Sequence, residues 1–160
     1  MVESEEEPLE ITPIVQIGVV VKNVDKAIDY YSKTFGLGPW NVVINEHLPY
    51  AIQRGKRIHY TTKLGFTTLP GGLQVELIEV TKGSSIHLEA LKKKGESIHH
   101  IAFRVNDVEK EIAKYQKHGF KRLLSMVNDE GKPTNAYFDT DKIGGVLFEI
   151  SGPPRKETPK

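Results

Sequence analysis

The stretch beginning at Gln16, QIGVVVKNVDKAIDYYSK, lies without a gap over the stretch beginning at His100, HIAFRVNDVEKEIAKYQK, at an offset of 84 residues. Ile17 then falls on Ile101, Val21 on Val105, Val24 on Val108, Lys26 on Lys110 and Ile28 on Ile112. A second match follows at an offset of 73, GLQVELI from Gly72 over GVLFEIS from Gly145, and it sets Glu76 on Glu149. Such self-similarity reads as two structural modules of one layout. In a chain of 160 residues the two are small and share a core.

Each module opens on a short apolar, β-branched run, 14–21 and 98–105, expected to be a strand. An amphipathic helix follows each, over 24–35 and 108–118, with Val24, Ala27, Ile28 and Tyr31 making one face of the first. Asn23 and Asp107 stand where N-caps are needed, and Gly36 and Gly119 where a helix C-terminus turns left-handed. Three further strands are expected in each module, at 40–46, 57–66 and 73–80, and at 121–127, 134–140 and 146–150. A helix over 84–94, ended by Gly95, links the modules. The fold class expected is α+β, with two β-α-β-β-β modules forming a curled sheet around a metal-binding cleft. The domain spans 12–151, with modules at 13–80 and 97–151; the acidic 1–11 and the proline-rich, basic 152–160 read as solvated, disordered tails.

Strand side chains alternate between faces. Ile17, Val19 and Val21 suit the helix-facing side, as do Ile101, Phe103 and Val105, while Gln16 with Gly18, and His100 with Ala102, point the other way. In both modules a polar residue is thus followed by a small one that leaves room above the sheet. Glu76 and Glu149 repeat the pattern inside apolar last strands, where a carboxylate is costly unless paired, protonated or bound to a cation. Singly, each reads more readily as an edge-strand carboxylate facing water. Their joint repetition, together with an amide and an imidazole, points to one shared site. Three oxygen donors and one nitrogen suit one divalent ion (Zn, Ni, Co, Mn or Mg) with two positions open.

Composition excludes other chemistry. With no cysteine there are no disulfides, thiolate ligands or cysteine nucleophile. Lys and Arg total 22 against 21 Asp and Glu, so no global field calls for nucleic acid or a membrane surface. Lacking an evident leader or a long apolar run, the chain is expected to be cytoplasmic. The expected partner is a small-molecule substrate, and a homodimer is left open.

These residues resemble the vicinal oxygen chelate superfamily, the paired β-α-β-β-β metalloenzymes that include glyoxalase I and methylmalonyl-CoA epimerase. The resemblance runs from about Pro13 to Ser151. It implies metal ligands at Gln16, Glu76, His100 and Glu149, a set shared with the zinc-type glyoxalase I enzymes, whereas GESIHHIAFRV is closer to the epimerases. It also implies proton transfer beside a carbonyl, with Glu149 as the base. Two departures stand out. The epimerases use a second glutamate on a middle strand, but no carboxylate lies between Glu46 and Glu76, and RGKRIHYTTK offers His59 and Tyr60 instead, with His59 taken as the second acid/base. Glyoxalase I holds glutathione partly with an arginine four residues after its first ligand, a position that is Val20 here. The function expected is a metal-dependent isomerase, epimerase or lyase acting on a small oxo or acyl-CoA substrate. Its alternatives are a lactoylglutathione lyase of the glyoxalase I type, a non-catalytic binding protein of the bleomycin-resistance type, and an extradiol dioxygenase, which needs two histidines.

Tyr137, alternating with Ala136 and Phe138, and Trp40, after Gly38-Pro39, are the candidate substrate-binding residues, with simple core as the alternative for Trp40. His99 is expected on the opposite strand face from His100. His47, His87 and His118 read as solvated, and Arg54, Lys56, Arg57 and Lys63 as a solvated hairpin.

Overall fold

A computed structural model describes residues 8–153 of the chain, so 1–7 and 154–160 of the expected tails lie outside the described residues. Within them the expected tails are partly tied down, since Leu9 packs against apolar residues of the second module and the Gly152 N–H donates to Thr134 O. The first module contains β1 (Ile14–Val20), α1 (Val24–Phe35), β2 (Asn41–Asn45), β3 (Ala51–Gln53), β4 (Lys56–Ile58), β5 (Tyr60–Thr68) and β6 (Gln74–Gly83). After the linking helix α2 (Ile86–Lys94) come β7 (Ser97–Arg104), α3 (Val108–Lys117), β8 (Arg122–Met126), β9 (Asn135–Phe138) and β10 (Leu147–Ser151).

Local chemistry sets the helix boundaries. The Asn23 side chain accepts from the Lys26 N–H and the Asp107 side chain from the Lys110 N–H, so each repeat-equivalent helix is capped at its N-terminus. Gly36, at φ 65°, adopts the left-handed conformation that lets its N–H return to Ser32 O and close α1. No described helix is long and apolar enough to cross a membrane.

All strands belong to one sheet, ordered β2-β5-β6-β1-β7-β10-β9-β8-β3-β4. The modules join where β1 runs antiparallel to β7, with Ile17 opposite Ile101, Gln16 opposite Ala102 and Gly18 opposite His100. Repeat mates therefore face each other across a pseudo-twofold axis between the first strands. On either side β1 lies parallel to β6, setting Gly18 against Glu76, and β7 lies parallel to β10, setting Ala102 against Glu149.

Helices α1 and α3 cover one face of the sheet, and α2 packs on the other. Val24, Ile28 and Tyr31 of α1 pack with Val19, Val21, Leu77 and Trp40; Ile112 and Tyr115 of α3 pack with Phe138 and Ile150. Part of the other, inner face is filled by Ala51, Tyr60, Ile86, Leu124, Tyr137 and Leu147, and the rest forms a cleft.

One feature departs from the expected eight strands. Residues 51–58 form a hairpin whose β3 leaves the first module and pairs with β8 of the second, Ile52 opposite Ser125. The expected strand over 57–66 accordingly divides at His59 into β4 and β5. Its tight turn places Arg54 at φ 48° and Gly55 at φ 80°, the two positive angles a type I′ turn requires. An arginine is not the usual residue there, and so the turn carries no Asn-Gly or Asp-Gly signature. Arg54 is instead held by tertiary contacts: its guanidinium binds both Glu89 carboxylate oxygens, at 3.1 and 2.9 Å, and its N–H donates to Leu123 O.

Because both modules share one sheet, loss of core on one side should weaken the whole. Phe138 is fully buried and stacks on Tyr115 at 4.2 Å between ring centroids. Phe138→Ala is expected to lower stability by about 3–5 kcal/mol in urea unfolding, within a single cooperative transition. Separate transitions for the two modules would contradict the shared sheet.

Candidate metal centre

The strand register lays two rows of residues side by side across the inner face. One runs Phe66, Glu76, Gly18, His100, and the other Gln16, Ala102, Glu149, Tyr137. The rows exchange under the pseudo-twofold, so each glutamate neighbours the small residue of an adjacent strand. Gly18 has no alternative: a Cβ there would sit 2.0 Å from His100 Cε1. The imidazole lies over bare backbone, and the missing side chain of one module makes the seat for the ring of the other.

The structure gathers the four side chains expected as ligands. His100, fully buried, places Nε2 3.1 Å from Gln16 Oε1, 3.1 Å from Glu149 Oε2 and 3.5 Å from Glu76 Oε2. Outer partners hold these groups in turn. Gln16 Nε2 donates to Gln74 Oε1 at 2.7 Å, and Asn135 Nδ2 donates to Glu149 Oε1 at 2.8 Å. Donors bound at about 2.0–2.2 Å around one ion stand about 3 Å from their neighbours. The spacing around His100 Nε2 is of that order, and the two carboxylates supply charge to match a divalent cation. The residues present fit such an ion.

His99 does not alternate away from His100, contrary to expectation. A bulge in β7, where the register passes from Gly18 opposite His100 to Val19 opposite Ile98, leaves His99 as an extra residue. The two imidazoles turn together, with Nδ1 of each 3.0 Å apart. One Nδ1 carries the proton and the other accepts it. Because Nε2 of His100 faces three oxygens, the ring is held by contacts at both nitrogens, as ligating histidines usually are.

His87, also buried, lies 4.5 Å from His99 between ring centroids, and His87, His99 and His100 could themselves bring three nitrogens to within 4.8 Å of one another. The two groupings compete for His100. The carboxylate-rich one is the better cation seat, because it alone contributes negative charge. Burial lowers the His99 pKa to about 3, and burial followed by neighbouring imidazoles lowers that of His87 well below its ordinary value, so both are neutral hydrogen-bonding partners.

Charge at the centre is poised around neutrality. Burial raises the Glu76 pKa to about 7, with His100 pulling against it and Glu149 adding to it. For His100, burial opposes the charged form, but the hydrogen bond and charge of Glu149, with the charge of Glu76, outweigh it and raise the pKa. Two carboxylates around one imidazole favour a cation, whether a proton on the ring or a metal in its place.

The cleft has a volume of about 400 Å³, and its lining includes Gln16, Glu76, Glu149, His47, Tyr137 and Arg104. Tyr137 lies beside Glu149 with its ring 5.1 Å from that of His100; burial, then the charges of Glu149 and Glu76, push its pKa well above the usual phenol range. The structure does not bring Trp40 or His59 there. Trp40, just before β2, packs against Tyr31 on the face covered by α1, its indole N–H donating to Leu37 O at 2.9 Å. His59 is exposed at the junction of β4 and β5, turned outward by the hairpin.

His47, in contrast, is buried in the cleft wall rather than solvated. Its backbone stands at φ 51°, its Nε2 lies 2.9 Å from Thr62 Oγ1, and its ring stacks on Tyr60 at 4.1 Å. Burial lowers its pKa to about 4, so the ring is neutral near pH 7. No periodicity marks a loop residue as buried, which is why sequence reasoning missed His47 and, at the start of the linking helix, His87.

Against known proteins, residues 15–138 match the family model described as the Glyoxalase/Bleomycin resistance protein/Dioxygenase superfamily. No curated protein matches the sequence significantly. Among solved structures, the methylmalonyl-CoA epimerase from Mycobacterium tuberculosis is similar at TM-score 0.66 and 21% identity, over 96% of this chain and 93% of that one. A Streptomyces coelicolor methylmalonyl-CoA epimerase variant in complex with 2-nitronate-propionyl-CoA is similar at TM-score 0.64 and 24% identity, over 89% of this chain and 98% of that one. A hypothetical protein from Bacillus halodurans C-125 aligns at TM-score 0.62 and 20% identity, over 92% and 98%. At these identities the likeness is one of fold.

If the four side chains hold an ion, His100→Ala and Glu76→Ala should each lose most of the metal that the parent retains after dialysis, measured as metal per chain. Full retention in both variants would remove the centre. Ligation requires His100 and Glu76 unprotonated, and both pKa values lie above their ordinary positions. Metal binding should therefore release protons and tighten as pH rises through neutrality. Calorimetry in buffers of different ionisation enthalpy measures that release, and pH-independent binding without it would contradict the reading.

Proposed function

The chain belongs to the Glyoxalase/Bleomycin resistance protein/Dioxygenase superfamily, and on that premise we propose that it is a divalent-metal-dependent isomerase or epimerase. It moves a proton at the carbon beside a carbonyl of a small oxo or acyl-thioester substrate. The observation that carries this reading is the convergence of Gln16, Glu76 and Glu149 on His100 Nε2 within 3.1–3.5 Å at the wall of the cleft.

A divalent ion held by Gln16, Glu76, His100 and Glu149 would supply Lewis acidity to the substrate carbonyl as the carbon acid ionises. The chain's own residues supply the rest. Glu149, with one oxygen held by Asn135, is oriented to take the proton on its carboxylate and return it to carbon. Gln16 stays neutral and takes no part in proton movement. Tyr137 stays protonated, and its hydroxyl hydrogen-bonds Glu149. On the first-module wall the titratable groups lining the cleft are Glu76 and His47, and His47 replaces His59 in this proposal. Its neutral imidazole, with Nε2 on Thr62 Oγ1 and the ring stacked on Tyr60, shapes the wall against which the substrate lies.

The second reading is a lactoylglutathione lyase, favoured by the glutamine–glutamate–histidine–glutamate donor set. It is weakened by Val20, 1% exposed among Leu64 and Ile78, which gives a glutathione carboxylate nothing to bind.

Deuterium incorporation from heavy water into 2-substituted acyl thioesters and 2-oxo compounds, followed by NMR, tests the proposal. Glu149→Gln should keep much of its metal, since an amide oxygen still ligates, yet lose exchange by about a hundredfold to ten-thousandfold. His47→Gln should slow exchange with metal content unchanged. Undiminished exchange in Glu149→Gln would take the base role from Glu149.

A further inference from the structure

The inner face of β7 carries His100, Ala102 and Arg104 in succession, so the strand that supplies the imidazole ends on a guanidinium at the cleft. Among the described residues lining the cleft, Arg104 is the only lysine or arginine. It also lines the adjoining hollow beside Gln16, Gln74 and Ser151. Arg104 is exposed, and no described carboxylate pairs with it. Its hydrogen bonds, to Ser151 Oγ at 3.2 Å and to Gly152 O, both leave from Nη1, so Nη2 and Nε are available to a ligand. Arginine presents these donors as a planar fork suited to carboxylate or phosphate.

The charge balance of the cleft gives the fork its purpose. Glu76 and Glu149 match a divalent ion, which leaves the charge of Arg104 uncompensated. Four residues of strand separate the His100 and Arg104 backbones by about 13 Å. A ligand touching both is longer than a two- or three-carbon oxo acid.

We propose that Arg104 binds a second, remote anionic group of the substrate, so that the substrate is an oxo or acyl compound with a carboxylate or phosphate several atoms from its chelating oxygens. The proposal rests on the metal-centre reading above. It makes Arg104 a determinant of substrate choice, and the contacts to Ser151 and Gly152 keep Nη1 in place while the free edge faces the ligand.

The test uses the full chain loaded with Co²⁺, whose visible spectrum reports ligand entry at the metal. Pyruvate serves as the short probe, and 2-oxoglutarate, 2-oxoadipate and 2-oxopimelate serve as probes with a carboxylate at increasing reach. In the parent at least one longer acid should bind about tenfold or more tightly than pyruvate, the scale of one charge-assisted contact. Arg104→Gln should abolish that advantage and Arg104→Lys keep part of it, with pyruvate affinity unchanged in both. An advantage absent from the parent, or undiminished in Arg104→Gln, overturns the proposal while leaving the metal centre standing. Lower resistance to urea in Arg104→Gln with unaltered affinities would show Arg104 to be only a clasp for the end of β10, which also overturns it. If none of the four acids moves the parent's Co²⁺ spectrum, the metal-centre reading fails and the proposal falls with it.

Discussion

The site depends on the antiparallel pairing of β1 with β7, with Ile17 set against Ile101. Strand pairing admits only whole-residue registers, and a slip of one residue would send every side chain to the wrong face. In the register observed, each module's polar position faces the other module's small one. Two rows follow, each with a glutamate beside a glycine or alanine. The two-sided apolar pattern, with α1 and α3 on one face and α2 with the filled part of the cleft on the other, stabilises that register over its neighbours.

Crowding and charge then act together. Gly18 lets the His100 ring lie on the sheet, and the bulge at His99 turns a second imidazole onto its far nitrogen. The buried carboxylates would be costly alone, and His100 Nε2, 3.1 Å from Glu149 and 3.5 Å from Glu76, offsets part of that cost. The same burial that raises Glu76 toward neutrality drives the surrounding histidines to the neutral form. Around a cationic centre, those neutral rings orient groups without competing for its charge.

Much of this was legible in residues alone, and the limits have physical causes. Helix caps at Asn23 and Asp107 were readable because capping is local. Gln16, Glu76, His100 and Glu149 stood out because the repeat placed them at matching strand positions. Tyr137 was within reach of the same alternation, and it occupies the cleft beside Glu149. The hairpin over 51–58 was not, because its turn uses an arginine held by Glu89 from the linking helix. That hairpin turns His59 outward. The loop before it brings His47 inward. Trp40 was ambiguous between core and cleft, and contact with Tyr31 places it in the core.

By itself, then, the sequence determined two modules of one layout, the helix ends, the strand faces and four polar positions repeated in register, since these follow from short-range geometry and periodicity. Only the tertiary structure decided which strands meet, that His99 breaks alternation, that His47 rather than His59 enters the cleft, and that Arg104 stands at its edge with no described carboxylate beside it. Those outcomes depend on contacts between residues far apart in the chain, where no local preference carries information. A loop side chain is buried or exposed according to what folds against it, and at the cleft that is a surface contributed by both modules.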